Sequence, residues 1–327
     1  WLASVKEEAE LIAEMLAKHA RGLWKHHQQK VQPTAQRDEH YRLAFRPFVD
    51  VKEMRQHIDR AKKGKTGRLL TVDELAAMTD EQLEPFLAIT TLMFAGETPP
   101  ILKMGDVTPL PKDLMRARPV TCLDPLFKLV DAAIGQRLMQ TAQEHTLINE
   151  HTYGFVRGGA PEWPAILAAQ VQAQARRLKH VAFQPLADMT SAYDTVSHIA
   201  MSVASNVYTM PQDANEGLIT HVGGHARVVN TAYGLGDISK AEKLTGGFAQ
   251  GANSNPDLFI WALTPAHEYA ESKLKGYKLV THEEEAEVKL ANYADDDSPF
   301  NGGEASTKQE AEAILNETQE GVEALGI

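Results

Sequence analysis

Cysteine is nearly missing from this chain: Cys122 is the single one in 327 residues. One thiol excludes an internal disulfide framework and a cysteine-rich zinc site. Its apolar setting, PVTCLDPLF, predicts a buried, packed side chain, and a reducing intracellular compartment fits. No apolar stretch approaches the roughly 20 residues that span a bilayer, so no membrane partner is expected. No internal repeat is visible, which sets repeat arrays aside. The opening WLASVKEEAE has neither a starting Met nor a signal-peptide pattern; a fragment of a longer chain is the expectation. Positive charge is also in deficit, 33 Lys and Arg against 44 Asp and Glu, a net of −11. That total argues against a protein that grips nucleic acid by bulk electrostatics.

The charge is unevenly spread, however. KHHQQK (25–30), RAKKGKTGR (60–68), RARP (116–119) and RRLKH (176–180) are basic, whereas THEEEAE (281–287), a run of three aspartates and the C-terminal stretch are acidic. A local basic surface is therefore compatible with an acidic whole. The length fits one large domain or two intertwined ones. The spacing of Val5, Ala9, Ile12, Leu16 and Leu23 predicts an amphipathic helix over 3–24. A second helix is expected over 49–64, closed by Gly64. Thr71 before Glu74 and Thr79 before Gln82 read as capping boxes. Further helices are expected over 124–146, 161–180 and 257–274, and a strand-like run over 181–189. GYKLVT (276–281) and VKLANYA (288–294) read as the two strands of one hairpin whose far end carries the aspartates. Helices alternate with short strands, so the chain is mixed α and β.

Several short signals carry little. GKT at 64–66 lacks the earlier glycine of a phosphate loop, since position 59 is Asp59. HEYAE at His267 lacks the second histidine of a zinc-protease helix and predicts a solvated helix turn. His26 and His27 sit among polar residues, and HEEEAE predicts a solvated face.

NYADDDSPF (292–300) is different. Three adjacent carboxylates repel one another unless something neutralises them. A hairpin turn presenting Asp295 and Asp296 suits a divalent cation, and hard oxygen ligands suit Mg²⁺. The pattern gains weight if another carboxylate ends a neighbouring strand, and Asp188 in PLADMTSAYDTV is such a residue. Two Mg²⁺ ions held by three carboxylates would form the clamp of in-line phosphoryl transfer. One ion lowers the pKa of the attacking hydroxyl and the other stabilises the leaving pyrophosphate.

LADMTSAYDTV (186–196), GGFAQGANSNP (246–256) and NYADDD (292–297) stand in the order, and at about the spacing, of the A, B and C motifs of reverse transcriptases. Upstream, TPLPKD and RARPVTCLDPLFKLVDAAIGQRL resemble a fingers segment of retroelement polymerases, and HTYGFVRGGAP the next fingers motif. KKGKTG and MFAGETPPILKMGDVTPLPK resemble the lead-in of non-LTR elements. Each motif alone is weak. Their joint order makes the chain resemble the reverse transcriptase domain of a non-LTR (LINE-type) retrotransposon over roughly residues 50–327.

The resemblance implies an α+β polymerase right-hand fold, with a small antiparallel palm sheet packed on helices and a helix-rich fingers region. Residues 1–60 would form an N-terminal helical extension, 61–180 the fingers and 181–327 the palm, with the thumb absent. The implied activity is RNA-directed DNA synthesis: addition of dNTPs to a DNA primer 3′-OH on an RNA template, with two Mg²⁺ ions or Mn²⁺ in their place. Asp188, Asp295 and Asp296 would be the catalytic, metal-binding aspartates. Lys112 and Arg118 would grip the triphosphate, for which a guanidinium fork is suited. Tyr193 would be the steric gate that rejects a 2′-OH. Gly247, Gln250 and Gly251 would line the nucleotide and template pocket, where glycine lets the backbone come close. Asp194 would be structural. Nuclear localisation follows from the resemblance alone.

The chain also departs from the pattern. Asn255 precedes Pro256 where serine is usual, Ala187 and Ala117 replace larger residues, and Gly159 stands where arginine is expected, with Arg157 nearby. Asp297 adds a charge beside the metal-binding pair, enough to raise its pKa values or disturb its geometry. The downstream lysine-bearing motif is missing. These departures carry a second expectation, a catalytically inactive relic that keeps the fold and at most binds nucleic acid.

Overall fold

The computed structural model describes residues 34–61, 69–111, 117–149, 151–189, 192–231, 234–237, 241–244, 246–280, 285–294 and 296–325. The helix expected over 3–24, His26, His27 and the GKT loop lie outside them. The described chain combines α-helices with short strands in small sheets, the mixed character that its periodicities predict. None of its helices is long and apolar enough to cross a membrane. It divides into two compact units built from interleaved stretches: 33–145 with 191–259, and 146–190 with 260–327. The stretch 146–180, expected with the fingers, thus shares a unit with the aspartate-bearing strands.

In the first unit the long helix Pro125–Glu144 begins where Asp124 accepts from the Leu126 N–H at 2.9 Å and Pro125 occupies the first turn. Its apolar face, Phe127, Val130, Ile134 and Leu138, is fully buried. It packs against helices Ala35–Ala44 and Asp80–Phe94, which bury Tyr41, Leu83 and Met93. Both expected capping boxes form, at Thr71/Glu74 and Thr79/Gln82. The helix expected to reach Gly64 stops sooner, at Arg60, with Ala61 extended. Beyond Ile58 the sequence offers no further large apolar residue for the helix to bury. The sheet of this unit pairs Met104–Pro111 antiparallel with Ala117–Cys122 and parallel with Ala226–Thr231. Cys122 is exposed, contrary to expectation. Strand alternation buries its neighbours Thr121 and Leu123 and turns Cys122 outward.

In the second unit the single hairpin expected from GYKLVT and VKLANYA resolves into two. Tyr277–Val280 pairs with Glu285–Val288, and Leu290–Tyr293 pairs with Asp296–Pro299. Asp296 and Asp297 belong to the second hairpin alone. Its strand Leu290–Tyr293 is covered on both faces. Ala291 faces Val171 and Ala175 of helix Glu162–Leu178, together with Tyr277, Val288 and Phe300. Leu290 faces Ala270, Ala324 and Leu325. Each large apolar side chain buried here contributes about 1.5–3 kcal/mol.

This two-sided cover generates a contrast. Phe300→Ala, at a fully buried position, should cost about 3–5 kcal/mol. Leu186→Ala, at a position 80% exposed, should stay within about 0.5 kcal/mol. Urea denaturation of the two variants measures both.

Candidate functional site

The strand Ala187–Asp188 is only two residues long. It pairs antiparallel with Asp296–Pro299, and the register sets Asp188 opposite Asp296 and Ala187 opposite Asp297. Direct partners in an antiparallel pair project to the same face, with Cβ atoms about 5 Å apart. Both Asp188 and Asp296 are exposed. Two carboxylates more than a hundred residues apart in the chain are therefore brought together on one solvent-facing surface. Like charges so placed destabilise a sheet, which gives a cation something to neutralise.

Asp295 lies outside the described residues. Among the described residues no three His, Cys, Asp or Glu side chains form a group able to hold a metal ion. Two facing carboxylates nevertheless suit Mg²⁺, which is commonly held by one or two carboxylates and completes its shell with water and substrate phosphates.

Contrary to expectation, Asp297 does not add its charge to this surface. Strand alternation turns it to the opposite face, where it is 2% exposed. Its Oδ1 stands 3.1 Å from Nε2 of His267, itself 2% exposed. The pair is close but poorly aligned for a hydrogen bond, since Oδ1 has no hydrogen-bond partner, so the attraction is chiefly electrostatic. The expectation of a solvated His267 is thereby corrected. His267 falls on the stripe Ile260, Thr264, His267, Ala270, all buried on helix Asn255–Lys273. That helical spacing is the signal that its polar neighbours conceal.

Asn292, opposite Asp297, completes the buried layer. Its Nδ2 lies 3.1 Å from His267 Nδ1 and 3.3 Å from Thr152 Oγ1, while its Oδ1 has no partner. An imidazolium would donate at both nitrogens. Turning the amide over then gives Oδ1 the Nδ1–H, and the choice of amide orientation follows the proton. The main chain of His151–Tyr153 braces the same residue: Asn292 N–H donates to the His151 carbonyl at 3.1 Å, and Tyr153 N–H to the Asn292 carbonyl at 2.9 Å.

The residues expected to bind the nucleotide lie in the other unit, except Lys112, which is outside the described residues. Arg118 is exposed on strand Ala117–Cys122, opposite Leu110. Tyr193 is half-buried, its ring 5.1 Å from that of Phe259. The loop carrying Gly247, Gln250 and Gly251 is tied to both neighbours. Phe248 N–H donates to the Tyr193 carbonyl at 2.7 Å, Gly247 N–H to Val196 at 2.8 Å, and Thr121 N–H to the Gln250 carbonyl at 2.6 Å. Both glycines have positive φ, +73° and +125°. A Cβ at Gly247 would stand 2.6 Å from the Asp194 carbonyl oxygen, and one at Gly251 would collide with the Thr121 carbonyl. No other residue fits these positions. An open cavity of about 430 Å³ is lined by Pro119, Asp194, Arg227, Lys243 and Gly246, among others. Three of these are the chain neighbours of Arg118, Tyr193 and Gly247.

Sequence reasoning missed what lies beneath this loop. Asp131, buried on helix Pro125–Glu144, accepts from the main-chain N–H groups of Asn253 and Ser254 at 2.6 and 2.8 Å. It also accepts from Ser254 Oγ at 2.5 Å and faces His221 Nε2 at 3.0 Å. The His221 ring stacks on Phe127 at 5.0 Å. Burial pushes the Asp131 carboxyl up, but the His221 and Ser254 contacts outweigh it and hold the carboxyl below the usual range. Burial, and then the Asp131 charge, push Asp257 up to about 6. No local motif marks Asp131, because its partners lie about 90 and 120 residues away.

No protein-family model matches this chain, and no curated protein matches it.

Burial disfavours a charged His267, but the adjacent Asp297 charge outweighs it and raises the pKa above the ordinary 6.5. A raised folded value means stabilisation that is complete below pH 6.5 and lost as pH climbs through the folded pKa. His267→Leu leaves Asp297 buried without a partner and should cost about 3–5 kcal/mol below pH 6.5. The gap between parent and variant should narrow toward pH 9. Denaturant midpoints across that range measure it.

Proposed function

We propose that this chain is the fingers and palm of a retroelement-type reverse transcriptase, an RNA-directed DNA polymerase. The observation that carries the reading is the pairing of Asp188 with Asp296. The motif order, the glycine loop tied to Tyr193 and the outward Arg118 support it further.

In this reading Asp188 and Asp296 would hold Mg²⁺, with Asp295, the chain neighbour of Asp296, as the expected third ligand. Bound Mg²⁺ supplies Lewis acidity, making the primer 3′-OH a better nucleophile and offsetting charge on the leaving pyrophosphate. The carboxylates fix where that charge compensation falls. Arg118 offers a guanidinium to phosphate oxygens. The Tyr193 ring, held by Phe259 packing, excludes a 2′-hydroxyl and so selects dNTPs. The Gly247–Gly251 loop brings main chain and the Gln250 amide close to the nucleotide. Reaction follows when 3′-oxygen and α-phosphorus are held in line.

The facing carboxylates give this reading two signs in one experiment. Asp188→Asn and Asp296→Asn should each lower dTMP incorporation on poly(rA)/oligo(dT) with Mg²⁺ by about a thousandfold or more. Each should also raise the metal-free Tm by about 1–2 °C, because a repulsion is removed. Near-normal synthesis by either variant overturns the reading. A folded parent chain that incorporates nothing marks an inactive relic.

A further inference from the structure

Asp194 directly follows the expected steric gate, yet its carboxylate turns to the glycine loop. Gln250 Nε2 donates to Asp194 Oδ2 at 2.8 Å, and Arg227 Nη1 lies 3.5 Å from Oδ1. The Asp194 main chain is the surface against which Gly247 closes. An ionised carboxylate accepts hydrogen bonds and donates none. It can therefore take only the NH₂ end of the Gln250 amide. The other end, Oε1, is then left as an acceptor whose direction is set.

We propose that Asp194 is a positioning residue: it locks the Gln250 amide with its NH₂ held and its Oε1 presented, so that Gln250 meets the nucleotide as a hydrogen-bond acceptor and recognises a donor group on it. The nucleotide half of this proposal rests on the polymerase reading; the lock itself does not. A free glutamine amide rotates between donor and acceptor orientations and loses that selectivity. The carboxylate removes the choice, and Arg227 holds the carboxylate from its other oxygen.

The test is a reciprocal exchange. Asp194→Asn can accept from, or donate to, the Gln250 amide, so the lock is released. The dTTP KM should rise about tenfold, the worth of one hydrogen bond, with kcat within about threefold. Gln250→Glu alone sets two carboxylates together and should impair binding at least as much. In Asp194→Asn/Gln250→Glu the introduced amide donates to the introduced carboxylate, whose second oxygen is again a presented acceptor, and KM should return to within about threefold of the parent. Tm values within a few degrees of the parent show that folding is intact. The lock is also read without catalysis, from the Gln250 side-chain NH₂ signals in ¹H–¹⁵N spectra, assigned by their loss in Gln250→Glu. They should be shifted and exchange-protected in the parent and move toward free-amide values in Asp194→Asn, where both amide orientations become allowed. Unchanged NH₂ signals in Asp194→Asn overturn the lock. An unchanged KM in that variant, or no recovery in the double variant, overturns its role toward the nucleotide. A parent that incorporates no dNTP removes the polymerase reading and with it the nucleotide half, while the spectra still decide the lock.

Discussion

The register that sets Asp296 against Asp188 is the constraint on which the acidic surface depends. A strand of two residues has little pairing energy of its own, so the register must be enforced from elsewhere. The alternation of the partner strand enforces it. Asp296 faces solvent and Asp297 faces His267. A one-residue slip would exchange every side chain between the two faces. Asp297 would then lose its cationic partner, and Asp296 would be forced inward. Asn292, braced by the main chain of His151 and Tyr153, fixes the other strand of the hairpin in the same sense. The exposed pair is thus specified by the buried layer beneath it.

That arrangement carries a cost in stability. Two carboxylates facing one another across a sheet cost energy, and the surrounding unit supplies what offsets it. Leu290 and Ala291 are buried on opposite faces of a strand covered by helices on both sides. Burial on that scale, at about 1.5–3 kcal/mol for a side chain such as Leu290, exceeds the repulsion of one exposed carboxylate pair. The hairpin can therefore carry a pair that is unfavourable by itself.

The parts of this architecture that were legible in the sequence are those with local causes. The capping boxes at Thr71 and Thr79 and the Asp124–Pro125 helix start are short-range patterns, and they form as written. The meeting of Asp188 with the NYADDD segment was legible only through motif order, because no local physics joins residues so far apart. The misreadings share one cause, which is that neighbours in sequence are not neighbours in space. Cys122 lies among apolar residues, but a period of two turns it outward. His267 lies among polar residues, but a period of 3.6 turns it inward. VKLANYA looked like one strand, yet Val288 ends one hairpin and Leu290 begins the next. Asp131 left no trace because every partner it holds is distant.

The two units solve one problem in the same way. The NYADDD hairpin and the Gly247–Gly251 loop both present small or like-charged residues that cannot stabilise their own conformation. Each is underpinned by a fully buried carboxylate facing a histidine: Asp297 with His267, and Asp131 with His221. A buried carboxylate is tolerated only where partners are in place, so its position admits little variation. Asp131 makes the point most directly. It accepts from two consecutive main-chain N–H groups and one hydroxyl at the end of the loop. Apolar packing could cover that loop but could not dictate its main-chain path, because dispersion is indifferent to direction. Hydrogen bonds to a fixed carboxylate are directional. The main-chain path at the end of that loop is thereby set by a carboxylate that never meets solvent.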